Sequence, residues 1–185
     1  MKLYTEINVP NVESIRIQAL KIINPDKFID QKPAFVYIPN NIEMFLSIPE
    51  LKEFLDNKGW TNHITGIMFN VMQAHSMSLI HIDPLLFNKS FNIPLSGYEL
   101  SYLDFYKKKI KDSTLTVNSN NEVSDRFSFW SFEKEDVEFI SRYQTNTPFM
   151  LRTEVPHQVI NNSSSKRVNL LIRLSYKLDL SEIYV

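Results

Sequence analysis

Cysteine is absent from this chain of 185 residues, which excludes disulfide bonds and thiol catalysis but leaves the cellular compartment open. The chain also lacks any run of about 18 apolar residues, so no membrane-spanning helix is expected. Its N-terminus lacks the charged and then apolar segments of an export signal, so we expect a soluble, cytoplasmic protein without a membrane partner. The formal net charge is only −1, and this lack of a basic field argues against nucleic acid as a partner.

Glycine is rare as well, with three residues in the chain, whereas aromatic residues make up 12% of it. This composition is typical of a well-filled globular domain and not of a low-complexity segment. A chain of this length can bury a sizeable core in one unit. We therefore expect a single domain over residues 1–185, with a β-rich core at about 66–176 and a cover of strand and helices at 1–65.

The N-terminal part contains one well-marked helix. Ser47, followed three residues later by Glu50, fits a capping box. This pair predicts a helix at about Ile48–Asn57. The spacing of apolar residues in Val12–Ile23 suits either a short amphipathic helix or a strand. Phe35–Ile38 predicts a strand.

From residue 66 onward the chain consists of short apolar segments separated by turn-rich breaks, a pattern typical of a β-sandwich or barrel. The predicted strands lie near Ile67–Met72, Ser78–Asp83, Ser90–Leu95, Glu99–Tyr106, Arg126–Phe132, Phe149–Glu154, His157–Ile160 and Arg167–Tyr176. Between them, Lys107–Asp125 predicts an exposed loop and Glu133–Ser141 a short helix.

The last predicted strand alternates strongly between two faces. One face is apolar and is expected to pack under the N-terminal helices; it carries Val168, Leu170, Ile172, Leu174 and Tyr176. The other face carries Arg167, Asn169, Leu171, Arg173 and Ser175. Two arginines on an interior strand indicate that this face borders a polar cavity. The alternative is an edge strand with one face in water.

A possible metal site lies at His81 and Asp83. In an extended chain, alternate residues share a face, so this imidazole and this carboxylate point the same way. His157 lies on another predicted strand and could supply a second imidazole. Two histidines and one carboxylate on one face leave coordination positions open for other molecules, the ligand set of non-haem Fe(II) oxygenases.

Together, His81-x-Asp83, Asn92-Ile93-Pro94-Leu95, Pro156-His157 and Arg167 resemble the Fe(II)- and 2-oxoglutarate-dependent dioxygenases. The resemblance covers about residues 66–176. It is closest to small prolyl 4-hydroxylase-like and aspartyl/asparaginyl-hydroxylase-like members, including compact bacterial and phage forms. It implies a mainly β fold, the double-stranded β-helix or cupin-like jelly roll, with N-terminal helices packed on one sheet.

The resemblance also implies roles for individual residues. His81, Asp83 and His157 would hold Fe(II) as the catalytic centre. Arg167 follows His157 by ten residues, the position at which a basic residue of this family binds the far carboxylate of 2-oxoglutarate. Arg173, on the same strand face, is the alternative anchor.

Two further residues are candidates for binding the co-substrate or orienting the metal ligands. These are Asn92 and Tyr102, polar side chains on neighbouring predicted strands. The alternative for Asn92 is that it satisfies a turn, and the alternative for Tyr102 is that it packs in the core.

The implied reaction consumes dioxygen and 2-oxoglutarate, releases succinate and carbon dioxide, and hydroxylates a C–H bond, with ascorbate as an auxiliary reductant. The implied substrates are a prolyl, asparaginyl or aspartyl residue of a protein or peptide, or a small molecule. Two other functions stay open. One is a cupin-type metal enzyme without 2-oxoglutarate, and the other is a non-catalytic jelly-roll module for binding or structure.

Overall fold

The computed structural model describes residues 2–25, 35–40, 42–83, 89–109, 116–117 and 130–179. Within these ranges the helices are α1 (Val12–Ile23), α2 (Ile42–Leu46) and α3 (Pro49–Asn57). The strands are β1 (Tyr4–Glu6), β2 (Phe35–Asn40), β3 (Ile64–Met72), β4 (Ser76–Met77), β5 (Ile80–Ile82), β6 (Lys89–Ser96), β7 (Ser101–Lys108), β8 (Thr116–Val117), β9 (Trp130–Phe132), β10 (Val137–Gln144), β11 (Phe149–Arg152), β12 (His157–Asn161) and β13 (Arg167–Leu174).

Two antiparallel sheets face each other. Sheet A has the strand order β1-β11-β6-β13-β3-β2, and sheet B has the order β10-β7-β12-β5-β9-β8, with β4 paired to β12. Apolar side chains from both sheets, including Phe149 of β11 and Phe105 of β7, form one buried cluster between them. The mainly β, jelly-roll prediction is therefore confirmed.

β13 lies in the interior of sheet A, between β3 and β6, and all eight of its residues are buried. Its apolar face packs in the main core with residues of α1 and α3, such as Ile15 and Leu55. The predicted core face is confirmed for Val168, Leu170, Ile172 and Leu174, but Tyr176 lies beyond the end of β13 and is 59% exposed. The alternative of an edge strand is wrong. The polar face of β13 points the other way, toward sheet B.

The hydrogen bonds at the start of α3 differ from those that the sequence predicts. α3 begins at Pro49 after Ile48, which caps it without a side-chain hydrogen bond, so the capping box is wrong. Ser47 instead donates to the carbonyl oxygen of Met44, 2.6 Å away, in the turn that ends α2. The Glu50 carboxylate accepts hydrogen bonds from α1, which the structure identifies as a helix.

The helix predicted at Glu133–Ser141 is wrong. Only the single 3₁₀ turn Lys134–Asp136 is helical, and β10 follows it directly. β10 pairs antiparallel with β7, with an irregularity between Phe139 and Ser141. The partner strand supplies the hydrogen bonds of this segment, so tertiary pairing overrides the local pattern.

Some predictions fall partly outside the described residues. Of the strand predicted at Arg126–Phe132, the described part is β9, and residues 126–129 lie outside it. Most of the predicted loop Lys107–Asp125 also lies outside the described residues. Within it, β7 extends to Lys108 and Thr116–Val117 forms β8. Among the described residues, no helix has both the length and the apolar character needed to cross a membrane.

Candidate metal centre

The structure brings three predicted ligands together between the sheets. His81 lies in β5 and His157 begins β12, and the two are direct partners across the antiparallel pair. Their ring centroids are 4.4 Å apart. Asp83 follows β5, and one potential ligand atom from each of the three residues lies within 4.8 Å of the others.

Alternation along β5 explains why His81 faces inward. Its neighbours Ile80 and Ile82 point to the opposite face of sheet B, where they pack with Tyr106 and Phe132. The apolar neighbours therefore fix one face of the strand in a hydrophobic cluster. The imidazole between them is left facing the interior.

Hydrogen bonds outside the β5–β12 ladder hold the two segments in place. The Ser78 hydroxyl accepts from the backbone N–H of Val159 at 2.9 Å, and the Gln158 side chain donates to the Ser78 carbonyl oxygen at 2.7 Å. The backbone N–H of Asp83 donates to the carbonyl oxygen of Thr153 at 3.0 Å. These bonds tie the chain on both sides of His81 to the segment around β12.

The same local contact sets the tautomer of both imidazoles. Nδ1 of His81 lies 2.8 Å from the carbonyl oxygen of Leu79, and Nδ1 of His157 lies 2.8 Å from that of Val155. A carbonyl oxygen only accepts, so each Nδ1 carries a proton, and Nε2 is the nitrogen that has a lone pair when the ring is neutral. Backbone contacts of this kind orient histidine ligands in metal sites.

The electrostatics favour the forms that bind a metal. Burial is the main reason that the pKa of His157 is lowered to about 4, and the neighbouring His81 contributes to the same shift. Burial alone would raise the pKa of Asp83, but the Arg173 guanidinium and the two imidazoles outweigh it, so this pKa lies below its usual value. At neutral pH the site therefore contains a carboxylate and an uncharged His157 imidazole, as metal binding requires.

Arg173 contacts the candidate site directly. Its Nη1 lies 3.3 Å from Oδ2 of Asp83, and both residues are buried. The other carboxylate oxygen, Oδ1, lies 3.8 Å from Nε2 of His81. The two oxygens of Asp83 thus face different groups.

A cavity of about 30 Å³ lies beside the three residues. Sheet B contributes His81 and His157 to its wall, together with apolar side chains. Sheet A contributes a polar wall that contains Asn70, Ser90, Asn92, Arg167 and Asn169. Arg167 and Asn92, which the sequence predicts as site residues, therefore line the same cavity as the candidate ligands.

Hydrogen bonds fix the orientation of two asparagine side chains in this wall. The amide nitrogen of Asn92 donates to the carbonyl oxygen of Ser90 at 2.8 Å, which can only accept and so fixes the orientation of the Asn92 amide. Its oxygen then accepts from the amide nitrogen of Asn169 at 2.9 Å. The side-chain oxygens of Asn169 and Asn70 are buried, and no hydrogen-bond partner for either lies among the described residues.

Tyr102 does not join the other predicted site residues. Its β7 neighbours Leu103 and Phe105 belong to the cluster between the sheets, so Tyr102 lies on the opposite face of the strand. There its ring lies under the guanidinium of Arg142, at 5.0 Å from the ring centroid. The structure thus places Tyr102 outside the cavity, and it supports neither a role in co-substrate binding nor a place between the sheets.

Sequence reasoning did not single out Asn70 or Asn169 as site residues. Asn169 shares a strand face with Arg167, so its position two residues farther along β13 already indicated a place in the cavity wall. Asn70 interrupts the apolar run of β3 and lies opposite Asn169 in register. A polar residue within an apolar strand is a pattern from which the sequence could have identified Asn70 as a site residue.

Comparison with known proteins identifies the fold. No protein-family model matches the chain, and no curated protein matches it in sequence. HygX from Streptomyces hygroscopicus, a structure with nickel and 2-oxoglutarate bound, is 9% identical and has a TM-score of 0.56, covering 96% of this chain and 84% of HygX. AviO1 from Streptomyces viridochromogenes is 12% identical and has a TM-score of 0.52, covering 95% of this chain and 90% of AviO1. The fold is a cupin-like jelly roll.

A weaker similarity extends to a much longer protein. A variant of oxalate decarboxylase from Bacillus subtilis is 11% identical with a TM-score of 0.41, and the match covers 80% of this chain but 28% of that protein. This chain therefore spans little more than a quarter of the oxalate decarboxylase chain.

Proposed function

We propose that this protein is an Fe(II)- and 2-oxoglutarate-dependent oxygenase that hydroxylates a C–H bond. The observation that carries the proposal is the convergence of His81, Asp83 and His157, whose potential ligand atoms lie within 4.8 Å of one another. In the overall reaction, one atom of dioxygen enters the new hydroxyl group and the other enters succinate, while carbon dioxide leaves from 2-oxoglutarate.

The three residues fit a divalent first-row metal in type and in protonation. Two imidazole nitrogens and one carboxylate on one side of an ion leave positions for a chelating co-substrate and for dioxygen. The Nδ1–carbonyl contacts leave Nε2 of each histidine as the nitrogen available to bind a metal. When bound, Fe(II) supplies the activation of dioxygen, which no amino-acid side chain provides.

Arg167 is the residue that we propose as the anchor of 2-oxoglutarate. It lines the cavity, and a planar guanidinium can hold a carboxylate through two parallel hydrogen bonds. Arg173 is less suited to this role because its guanidinium already contacts the Asp83 carboxylate. Asn92 and Asn169 are the neighbouring polar groups that would border the bound diacid, and HygX, which has a similar fold, binds 2-oxoglutarate.

The size of the cavity adds a condition to this proposal. A volume of about 30 Å³ has room for about two or three water molecules, since each needs on the order of 10–15 Å³ by this measure. A five-carbon diacid is larger. Its binding therefore requires side chains that line the cavity to move apart.

The prime substrate that we propose is a prolyl, asparaginyl or aspartyl residue of a protein or peptide, or a small molecule. Ascorbate would serve only to keep the iron reduced. The role of the protein is to hold the metal ligands in register, to fix the co-substrate and to exclude water from the buried site.

The test combines metal binding with turnover. Purified protein is loaded anaerobically with Fe(II), and metal content is measured by mass spectrometry; succinate is then measured after addition of 2-oxoglutarate, ascorbate and air. We expect stoichiometric metal and succinate release from the wild type and from His63→Ala, a control outside the cluster. His157→Ala should lose both. Wild-type protein that binds iron without releasing succinate or binding 2-oxoglutarate would contradict the oxygenase proposal and favour a different metal enzyme.

A further inference from the structure

Arg173 has a specific geometric relationship to Asp83 that a co-substrate anchor does not require. The two side chains are 4% and 9% exposed, respectively, and Nη1 of Arg173 lies 3.3 Å from Oδ2 of Asp83. Oδ1 of the same carboxylate lies on the side of His81, 3.8 Å from its Nε2. Two donors bound to one ion at about 2.1 Å each lie roughly 3–4 Å apart. Oδ1 is therefore the oxygen placed to bind the metal, and Oδ2 is the oxygen held by Arg173.

The backbone on both sides of this contact is held by hydrogen-bonded strands. Arg173 lies in the interior strand β13, opposite Gly66 of β3 and Ser90 of β6. Asp83 directly follows β5 of sheet B, and its backbone N–H donates to the carbonyl oxygen of Thr153. Both members of the pair are thus attached to hydrogen-bonded strands from opposite sheets, and the pair spans the space between them.

We propose that Arg173 is a positioning residue for Asp83 and not the co-substrate anchor. It acts as the counter-ion of Asp83 when no metal is bound, and it holds Oδ2 so that Asp83 binds the metal through Oδ1 alone. This inference rests on the proposed metal site. It assigns different roles to the two arginines of β13: Arg167 binds the co-substrate, and Arg173 positions the metal ligand Asp83.

Charge balance gives the inference a measurable consequence. A buried carboxylate that loses its cation is strongly destabilising, because its burial is no longer compensated. A bound divalent metal can replace the missing positive charge. Loss of Arg173 should therefore lower the stability of the metal-free protein more than that of the metal-loaded protein, so that metal raises the melting temperature of the variant more than that of the wild type.

Loss of Arg173 should also change the coordination itself. With Oδ2 released, Asp83 can bind the metal through both oxygens and occupy a position that is otherwise open. Co(II) reports such a change in its visible absorption spectrum, because that spectrum depends on coordination number. A role of Arg173 in packing alone would not alter this spectrum.

The experiment compares the wild type with Arg173→Met, Arg173→Lys and Arg142→Met. The last variant is a matched control, because Arg142 forms an ion pair with another buried aspartate, Asp104, at 2.7 Å. Melting temperature is measured in a chelator and with Co(II), and the visible spectrum is recorded on the Co(II)-loaded proteins. We expect a larger Co(II)-induced rise in melting temperature and a shifted spectrum for Arg173→Met, with the wild-type spectrum restored in Arg173→Lys and unchanged in Arg142→Met.

Equal Co(II)-induced shifts and identical spectra for the wild type and Arg173→Met would overturn the inference while leaving the metal site intact. A wild type that binds no Co(II) would refute the proposed metal centre itself. If Arg173→Met does not fold, the double variant Asp83→Asn/Arg173→Met replaces it. We expect this double variant to fold and to be more stable than Arg173→Met, because the carboxylate that needs a counter-ion has been removed. A double variant that also fails to fold would overturn the inference.

Discussion

His81 and His157 lie directly opposite each other on neighbouring antiparallel strands, with their ring centroids 4.4 Å apart. Each imidazole is turned by the carbonyl oxygen of the residue two positions before it, at 2.8 Å in both cases. The chain thus builds the same local arrangement twice and brings the two copies together through sheet pairing. Asp83 completes the group: its Oδ1 lies 3.8 Å from Nε2 of His81, and one potential ligand atom from each of the three residues lies within 4.8 Å of the others.

The first prediction concerns the other two candidate ligands. His81→Ala and Asp83→Ala should each reduce bound metal to well below one equivalent, because two remaining donors do not hold a divalent ion tightly. Metal content after dialysis, measured by mass spectrometry, checks this. Either variant retaining a full equivalent would exclude that residue from the ligand set.

The second prediction separates the two arginines of β13. Arg167→Met should weaken binding of 2-oxoglutarate to the metal-loaded protein by about tenfold or more, because a hydrogen bond to a charged group contributes about 1.5–3 kcal/mol. Arg173→Met should weaken it less. Isothermal titration with 2-oxoglutarate gives both dissociation constants, and a greater loss in Arg173→Met would reverse the assignment.

The third prediction concerns the amide pair in the cavity wall. Asn169→Leu should lower the free energy of unfolding by about 1–3 kcal/mol, because the buried oxygen of Asn92 loses the donor that lies 2.9 Å away. Replacing both residues by leucine should cost less than the sum of the single changes, since no polar atom of the pair is then left without a partner. Urea denaturation of the three variants measures this difference.

The fourth prediction is a pH dependence of stability. Hydrogen bonds from Ser14 and from Gln18 lower the pKa of the Glu50 carboxyl. The folded-state pKa is below the unfolded one, so the carboxylate stabilises the fold above the unfolded pKa, and this stabilisation is lost as pH falls through the folded pKa. The difference in unfolding free energy between wild type and Glu50→Gln should therefore shrink as pH falls below about 4. A difference that stays constant from pH 6 to pH 3 would contradict it.

The fifth prediction compares two glycines. Gly97 and Gly59 both have positive φ, 64° and 68°, but a Cβ added at Gly97 would lie 2.1 Å from the Lys166 carbonyl oxygen, whereas Gly59 has open space. Gly59→Ala should cost about 1–2 kcal/mol from the left-handed backbone alone. Gly97→Ala should cost clearly more, because the backbone next to β13 must shift as well. Thermal unfolding of both variants measures the two losses of stability. Equal losses would contradict the prediction and show that the backbone near Lys166 can shift at little cost.

The alternation of side chains along each strand is a local property, and it already determined which residues share a face. It grouped His81 with Asp83, and Arg167 with Asn169 and Arg173, because successive side chains of an extended strand point to opposite sides. It could not tell which face of β7 turns inward, so Tyr102 was expected at the cavity and lies outside it. It also could not identify β10 as a strand, since that segment depends on hydrogen bonds from β7.

Only the tertiary structure decided which strands meet. The pairing of His157 with His81, and the contact of Arg173 with Asp83 across the two sheets, depend on register between segments far apart in sequence. Such register depends on the hydrophobic pattern and packing of whole strands as well as on contacts beside the site. The amino-acid sequence thus specified the donors and the side of the strand on which each lies, while the fold decided that they share one cavity.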